Sequence, residues 1–174
     1  MIRKINELEN ISLPSWDKLP DEGIYKEELL TYLKDVLKPL YVVDENVISP
    51  SMVNNYVKLG YIEKPKNKKY FRPAIAQLIV ISIFKQVITI EDVAKGIDIE
   101  MSTFGLQDVY ENFERIFNQA RKDILTSDEN LNINISYNFS DHHDKVLSYL
   151  SISLFTKLYT QLVIDDHKEM LWKR

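Results

Sequence analysis

Ser51, Asn54 and Asn55 stand at positions i, i+3 and i+4, and six cations follow them: Lys58, Lys64, Lys66, Lys68, Lys69 and Arg72. On a helix that spacing gathers the three short polar side chains on one face. An amide can donate and accept at a base edge, and a hydroxyl can do either. Lysine and arginine hold phosphate oxygens without regard to sequence. Between Ser49 and Arg72 the only acid is Glu63, although the whole chain carries a formal charge of −4. A basic patch inside an acidic chain marks a local surface for a polyanion. Tyr56 and Tyr70 can add hydroxyl donors to the same phosphates, with packing of Tyr70 onto the core as the equal alternative. With six phosphates neutralised, log affinity falls against log salt with a slope of roughly −5.

Other chemistries find less support. The chain has no cysteine, which removes thiol catalysis, thiolate metal sites and disulfides, and it has only four glycines, Gly23, Gly60, Gly96 and Gly105. None of these forms a phosphate-cradling loop, and no serine occupies a nucleophile elbow. In Asp141-His142-His143-Asp144 the adjacent histidines point about 100° apart on a helix, unlike an i, i+4 metal pair. An acidic first helical turn is the simpler reading, and Asp165-Asp166-His167 reads as solvated helix surface. No catalytic residue, metal or cofactor is therefore expected, and the chain is read as a non-enzyme.

With 174 residues and 45% apolar content the sequence can bury a substantial core. The N-terminal stretch lacks the apolar run of a signal peptide, so a cytoplasmic protein is expected. The apolar stretches Ala74 to Ile90 and Val146 to Ile164 contain Gln77, Lys85, Gln86, Lys157 and Gln161. A membrane span needs about 20 cleanly apolar residues, so these are expected as buried helices, with no membrane partner.

The elements that must position the polar face are punctuated clearly. Leu13 to Pro20 reads as an extended lead-in anchored by Trp16, and Ile24 to Leu37 as a helix capped by Asp21 and ended by Pro39. Tyr41 to Ile48 is a short strand or a packed loop. The polar-faced helix has Ser49 for its N-cap, Pro50 at its first position and Gly60 for the left-handed stop; Val53, Tyr56 or Val57, and Leu59 are its inward residues. Residues 61–72 read as a basic hairpin wing. Helices follow at Pro73 to Val87 and at Ile90 to Ile97, the latter capped by Thr89. Thr103 to Leu125 is an amphipathic acidic helix. Asn130 to Phe139 alternates as a half-buried strand, with an ordered linker as the alternative, and Ser140 caps a final helix over roughly Asp141 to Leu171.

That final helix is apolar on more than one side. Leu147, Leu150, Leu154, Phe155, Leu158 and Leu162 are the candidate dimerisation residues, since a homodimer is the simplest source of a partner helix. The alternative is that residues 103–125 cover them within one chain. Tyr110, Phe113, Phe117, Phe139, Tyr149, Phe155 and Tyr159 can form an effector pocket or simply core.

Ser49 to Ile97 resembles the DNA-binding half of the MerR-type winged helix-turn-helix regulators. The matching residues are Tyr56-Val57-Lys58-Leu59-Gly60-Tyr61-Ile62 at the helix end and Lys68-Lys69-Tyr70 closing the wing. Ile75 and Leu78 follow in the next helix, and Val87-Ile88-Thr89-Ile90-Glu91-Asp92-Val93 leads into the short one. Ser51 and Asn54 stand where such regulators often carry arginine. From LPSWDKLP through VNNYVKLGYI and KKYFRPAIAQLIVI to the C-terminal helices, the chain also resembles the bacterial domain-of-unknown-function family 1836. That resemblance implies no activity or cofactor.

The reading is a mainly α protein with a MerR-like winged helix-turn-helix and a C-terminal helical dimerisation region. Residues 1–97 form the DNA-binding part and 98–174 the helical part, for dimerisation or ligand sensing. Ser51, Asn54 and Asn55 read bases in double-stranded DNA. Tyr56, Lys58, Lys64, Lys66, Lys68, Lys69, Tyr70 and Arg72 hold phosphates. The alternative is a non-enzymatic protein-interaction module that keeps the fold without binding DNA.

Overall fold

The computed structural model describes residues 2–41, 47–126 and 142–171. In chain order the elements are α1 (Ile2–Glu9), β1 (Ile24–Tyr25), α2 (Lys26–Leu37), α3 (Pro50–Leu59), β2 (Lys69–Tyr70), α4 (Arg72–Phe84), α5 (Ile90–Thr103), α6 (Leu106–Leu125) and α7 (His142–Leu171). The protein is mainly helical, and its sheet among the described residues is the antiparallel pair β1–β2, with Ile24 opposite Tyr70 and Tyr25 opposite Lys69.

α4 is apolar on all sides, and every residue from Ala74 to Phe84 is buried. A helix of that kind has to lie at the centre, and α2, α5 and α7 all pack against it. Its one amide, Gln77, has its oxygen satisfied by the Glu63 backbone N–H at 2.8 Å. No described helix is long and apolar enough to cross a membrane.

α6 carries Tyr110, Phe113, Phe117, Ala120 and Ile124 at helical spacing, all buried. They meet Leu154, Phe155, Leu158 and Leu162 of α7, each at most 2% exposed. The Phe117 and Phe155 rings lie 4.9 Å apart, and Phe113 meets Phe84 of α4 edge-on at 5.5 Å. The aromatic residues among these fill the core. Tyr149 and Tyr159 instead face outward, and Phe139 lies outside the described residues.

Several expectations are corrected. Leu154, Phe155, Leu158 and Leu162 are covered within the same chain, so they are no dimer surface; Leu147 and Leu150 are half-buried against the same core. α2 begins at Lys26, because Ile24 and Tyr25 are extended and paired with β2. Asp21 does not cap it. The Glu28 carboxylate instead accepts the Tyr25 N–H at 2.9 Å. α5 runs on to Thr103, past its expected end, and crosses position 97 without a break. Leu59 is 51% exposed. The expected strand at Asn130 to Phe139 and the Ser140 cap lie outside the described residues.

Candidate nucleic-acid interface

α3 is delimited by its own sequence. Ser49 accepts the Met52 N–H at its hydroxyl, Pro50 occupies the first turn, and Gly60 adopts φ 75°. Tyr61 N–H reaches the Tyr56 carbonyl at 2.9 Å and Gly60 N–H the Val57 carbonyl at 3.2 Å, the paired closure of a Schellman motif. Val53 and Tyr56 anchor the inner side. Ser51, Asn54, Asn55 and Lys58 are all exposed along the outer one, and the Ser51 and Ser49 hydroxyls share a hydrogen bond of 2.9 Å.

The basic segment that follows turns back on itself at Lys66–Lys69. Lys66 and Lys69 exchange both backbone hydrogen bonds, at 2.9 and 3.0 Å. Asn67 and Lys68 between them have φ of 52° and 65°, as a two-residue type I′ turn requires. Lys64, Lys66 and Lys68 project into solvent from this segment. The returning strand is fixed by β1, and the Lys69 ammonium sits 5.2 Å above the Tyr25 ring.

Lys26 joins the two parts. As the first residue of α2 it donates from Nζ to Asn54 Oδ1 at 2.5 Å. It also lines an open groove with Tyr25, Pro65, Lys68 and Tyr70. The exposed face of α3 and the lysine turn therefore adjoin through one side chain. Glu27 and Glu28 border the same groove, so the cationic character is strongest at Lys58, Lys64, Lys66 and Lys68. Lys26 gives no signal in the sequence because it lies 28 residues from Asn54, and only the packing of α2 brings them together.

Three of the expected phosphate ligands are placed elsewhere. Tyr56 is 2% exposed, and its hydroxyl has no hydrogen-bond partner among the described residues. Tyr70 is 3% exposed. Burial raises the pKa of both phenols above the ordinary tyrosine value. Both rings serve the core, which corrects their assignment to phosphate. Arg72 donates from Nε to the Leu19 carbonyl at 3.2 Å, approaches Asp21 at 3.6 Å and lies 5.8 Å from the Trp16 ring centre. It fastens the lead-in to the start of α4 and is likewise withdrawn from the basic face.

The histidine pair is divided between surroundings. His142 is exposed, while His143 Nδ1 lies 2.6 Å from Glu100 Oε1. Asp144 accepts from Asn112 at 3.0 Å and Arg115 at 3.3 Å. Among the described residues no three His, Asp or Glu side chains converge as a metal-binding group.

The chain belongs to the family described as a domain of unknown function (DUF1836), whose family model matches residues 14–134. That match covers the lead-in, the basic face and the core helices through α6. No curated protein and no solved structure matches the chain.

Proposed function

We propose that this protein is a DNA-binding transcriptional regulator with a MerR-like winged helix-turn-helix. In it α3 is the recognition helix and the Lys66–Lys69 turn is the tip of the wing. The observation that carries the reading is the continuity of the exposed Ser51, Asn54, Asn55 and Lys58 face with the lysine turn through Lys26. Asn55 and Asn54 contact base edges, and Ser51 flanks them. Lys58, Lys64, Lys66 and Lys68 hold phosphates, while Lys69 supports the strand from which they project. Electrophoretic mobility shift against genomic fragments at two salt concentrations tests this. Salt-sensitive binding lost in Lys66→Glu/Lys68→Glu supports the regulator, and absence of binding at low salt sinks it.

The rival reading is a protein-interaction module on the same fold. It draws on the exposure of Leu59 and Tyr25, each 51%, beside the polar face. Capture of a protein partner through Leu59 without DNA binding would favour it.

We also assign self-association to the outer side of α7. Val146, Tyr149 and Ile164 are 57%, 54% and 49% exposed. The Thr156 and Thr160 hydroxyls between them are satisfied by carbonyls of their own helix, at 2.9 and 2.8 Å. Lys157, which borders this strip, folds back to the Gln86 carbonyl at 2.6 Å. Lys145 stands at the edge of the strip with its Nζ 5.7 Å from the Tyr149 ring centre, so the apolar centre around Val146 and Ile164 is the part that can face its own copy across a two-fold axis.

A further inference from the structure

We propose that Lys26 sets the base preference of the recognition helix by holding Asn54 so that it reads guanine rather than adenine. This deepens the DNA-binding reading and rests on it. The observation is the 2.5 Å contact between Lys26 Nζ and Asn54 Oδ1. An ammonium can only donate, so the atom of the Asn54 amide facing it must be the oxygen. The orientation of this amide is thus dictated by its neighbour. A charge-assisted hydrogen bond is also stronger than a neutral one, which favours keeping it on an exposed surface.

The consequence follows from what each base offers in the major groove. Adenine presents an acceptor beside an amino donor, and an asparagine reads it with both ends of the amide. Here the second lone pair of Oδ1 remains, but an adenine amino group approaching it has to come alongside the Lys26 cation. A donor hydrogen and an ammonium repel each other. Guanine presents two adjacent acceptors, N7 and O6. These match what Lys26 and Asn54 jointly display, namely the remaining ammonium hydrogens and the Nδ2 amino group. Asn55, one position on, is exposed and keeps the option of adenine. Lys26 is therefore a positioning residue for Asn54 as well as a donor in its own right.

The test compares sequences selected from random duplex DNA by the full-length protein and by Lys26→Met, which keeps the stem and removes the donor. The wild type is expected to enrich guanine at one position, and the variant to shift that position toward adenine with a change in preference of roughly tenfold. Asn54→Ala is expected to lose the preference at that same position. The same base enriched by wild type and Lys26→Met, or adenine enriched by the wild type, overturns the proposal. Salt-dependent binding without sequence preference overturns it and leaves DNA binding standing, whereas no binding at all removes both. A readout without DNA is the side-chain amide resonance of Asn54, which shifts in Lys26→Met if the contact exists in solution; an unmoved resonance in a folded variant also overturns it.

Discussion

The Tyr110 hydroxyl donates to the Pro14 carbonyl at 2.8 Å, linking α6 to the proline-bracketed lead-in across 96 residues of sequence. Tyr110 is 1% exposed and its ring lies 6.0 Å from that of Trp16. The bond gives a fixed place to a segment with little regular structure of its own. Tyr110→Phe keeps the ring and leaves the Pro14 carbonyl without this donor, an expected loss of about 1–2 kcal/mol. Urea unfolding checks it: the midpoint falls with an unchanged slope. An unchanged midpoint shows that water replaces the hydroxyl without cost.

The same phenol makes stability depend on alkaline pH. Burial holds Tyr110 protonated far above the ordinary tyrosine range, with smaller contributions in the same direction from Tyr32 and Glu114. Burial also raises Tyr32, Tyr56 and Tyr70. A group whose pKa is higher folded than unfolded gives its full stabilisation below the unfolded value. That stabilisation is lost as pH rises beyond it, here above about 10. Each such group removes at most about 1.4 kcal/mol per pH unit. Denaturation followed from about pH 8 to about pH 11.5 should show a flat region and then a fall, shallower in Tyr110→Phe.

Two glycines separate backbone strain from crowding. Gly60 has φ 75°, and a methyl group added there would meet nothing within 4 Å, so Gly60→Ala costs only the left-handed penalty, about 1 kcal/mol. Gly23 has φ 73°, and an added Cβ would also lie 2.8 Å from the Phe71 ring. Gly23→Ala should therefore destabilise more than Gly60→Ala, by thermal or urea denaturation. Equal losses would show that the Phe71 ring yields freely.

The basic face makes a prediction in which the tyrosines act as controls. With Arg72 engaged by the lead-in and Lys69 over Tyr25, four exposed lysines remain, Lys58, Lys64, Lys66 and Lys68. The slope of log affinity against log salt is then about −4 rather than about −5. Lys66→Ala/Lys68→Ala should reduce its magnitude by about 2. Tyr56→Phe should leave both affinity and slope alone and be neutral or mildly stabilising, because a buried hydroxyl without a protein partner is removed. A large loss of DNA affinity in a stable Tyr56→Phe protein would return that hydroxyl to the interface.

The parts readable from sequence were those fixed by neighbours. Ser49, Pro50 and Gly60 bracket α3 by local backbone chemistry, Thr89 caps α5 through the Asp92 N–H, and the apolar run of α4 permits only burial. Contacts distant in sequence were not readable. Ile24 and Tyr25 fit the helical period of Leu29 and Leu33, but pairing with Lys69 and Tyr70 holds them extended. A tyrosine has a polar tip on an apolar body, so its type alone does not divide phosphate contact from core for Tyr56 and Tyr70. The role of Arg72 was hidden for a related reason, because its partners Leu19, Asp21 and Trp16 belong to a segment without helical or strand periodicity.

α7 shows how the two sides of one helix are told apart by mutation. Leu158 is 1% exposed and packed in the core, so Leu158→Ala should cost about 2–5 kcal/mol of folding stability whatever the oligomeric state. Val146 and Ile164 lie on the opposite, exposed side. Val146→Glu/Ile164→Glu should change folding little in a monomer, since surface substitutions usually stay within about 0.5 kcal/mol. In a dimer built on this strip, the same pair of changes buries like charges and shifts the protein to monomer. Sedimentation velocity across a roughly hundredfold range of concentration distinguishes the cases. Wild-type protein that sediments as a monomer throughout overturns the assignment. A dimer that survives both glutamates places the interface on another surface of the chain.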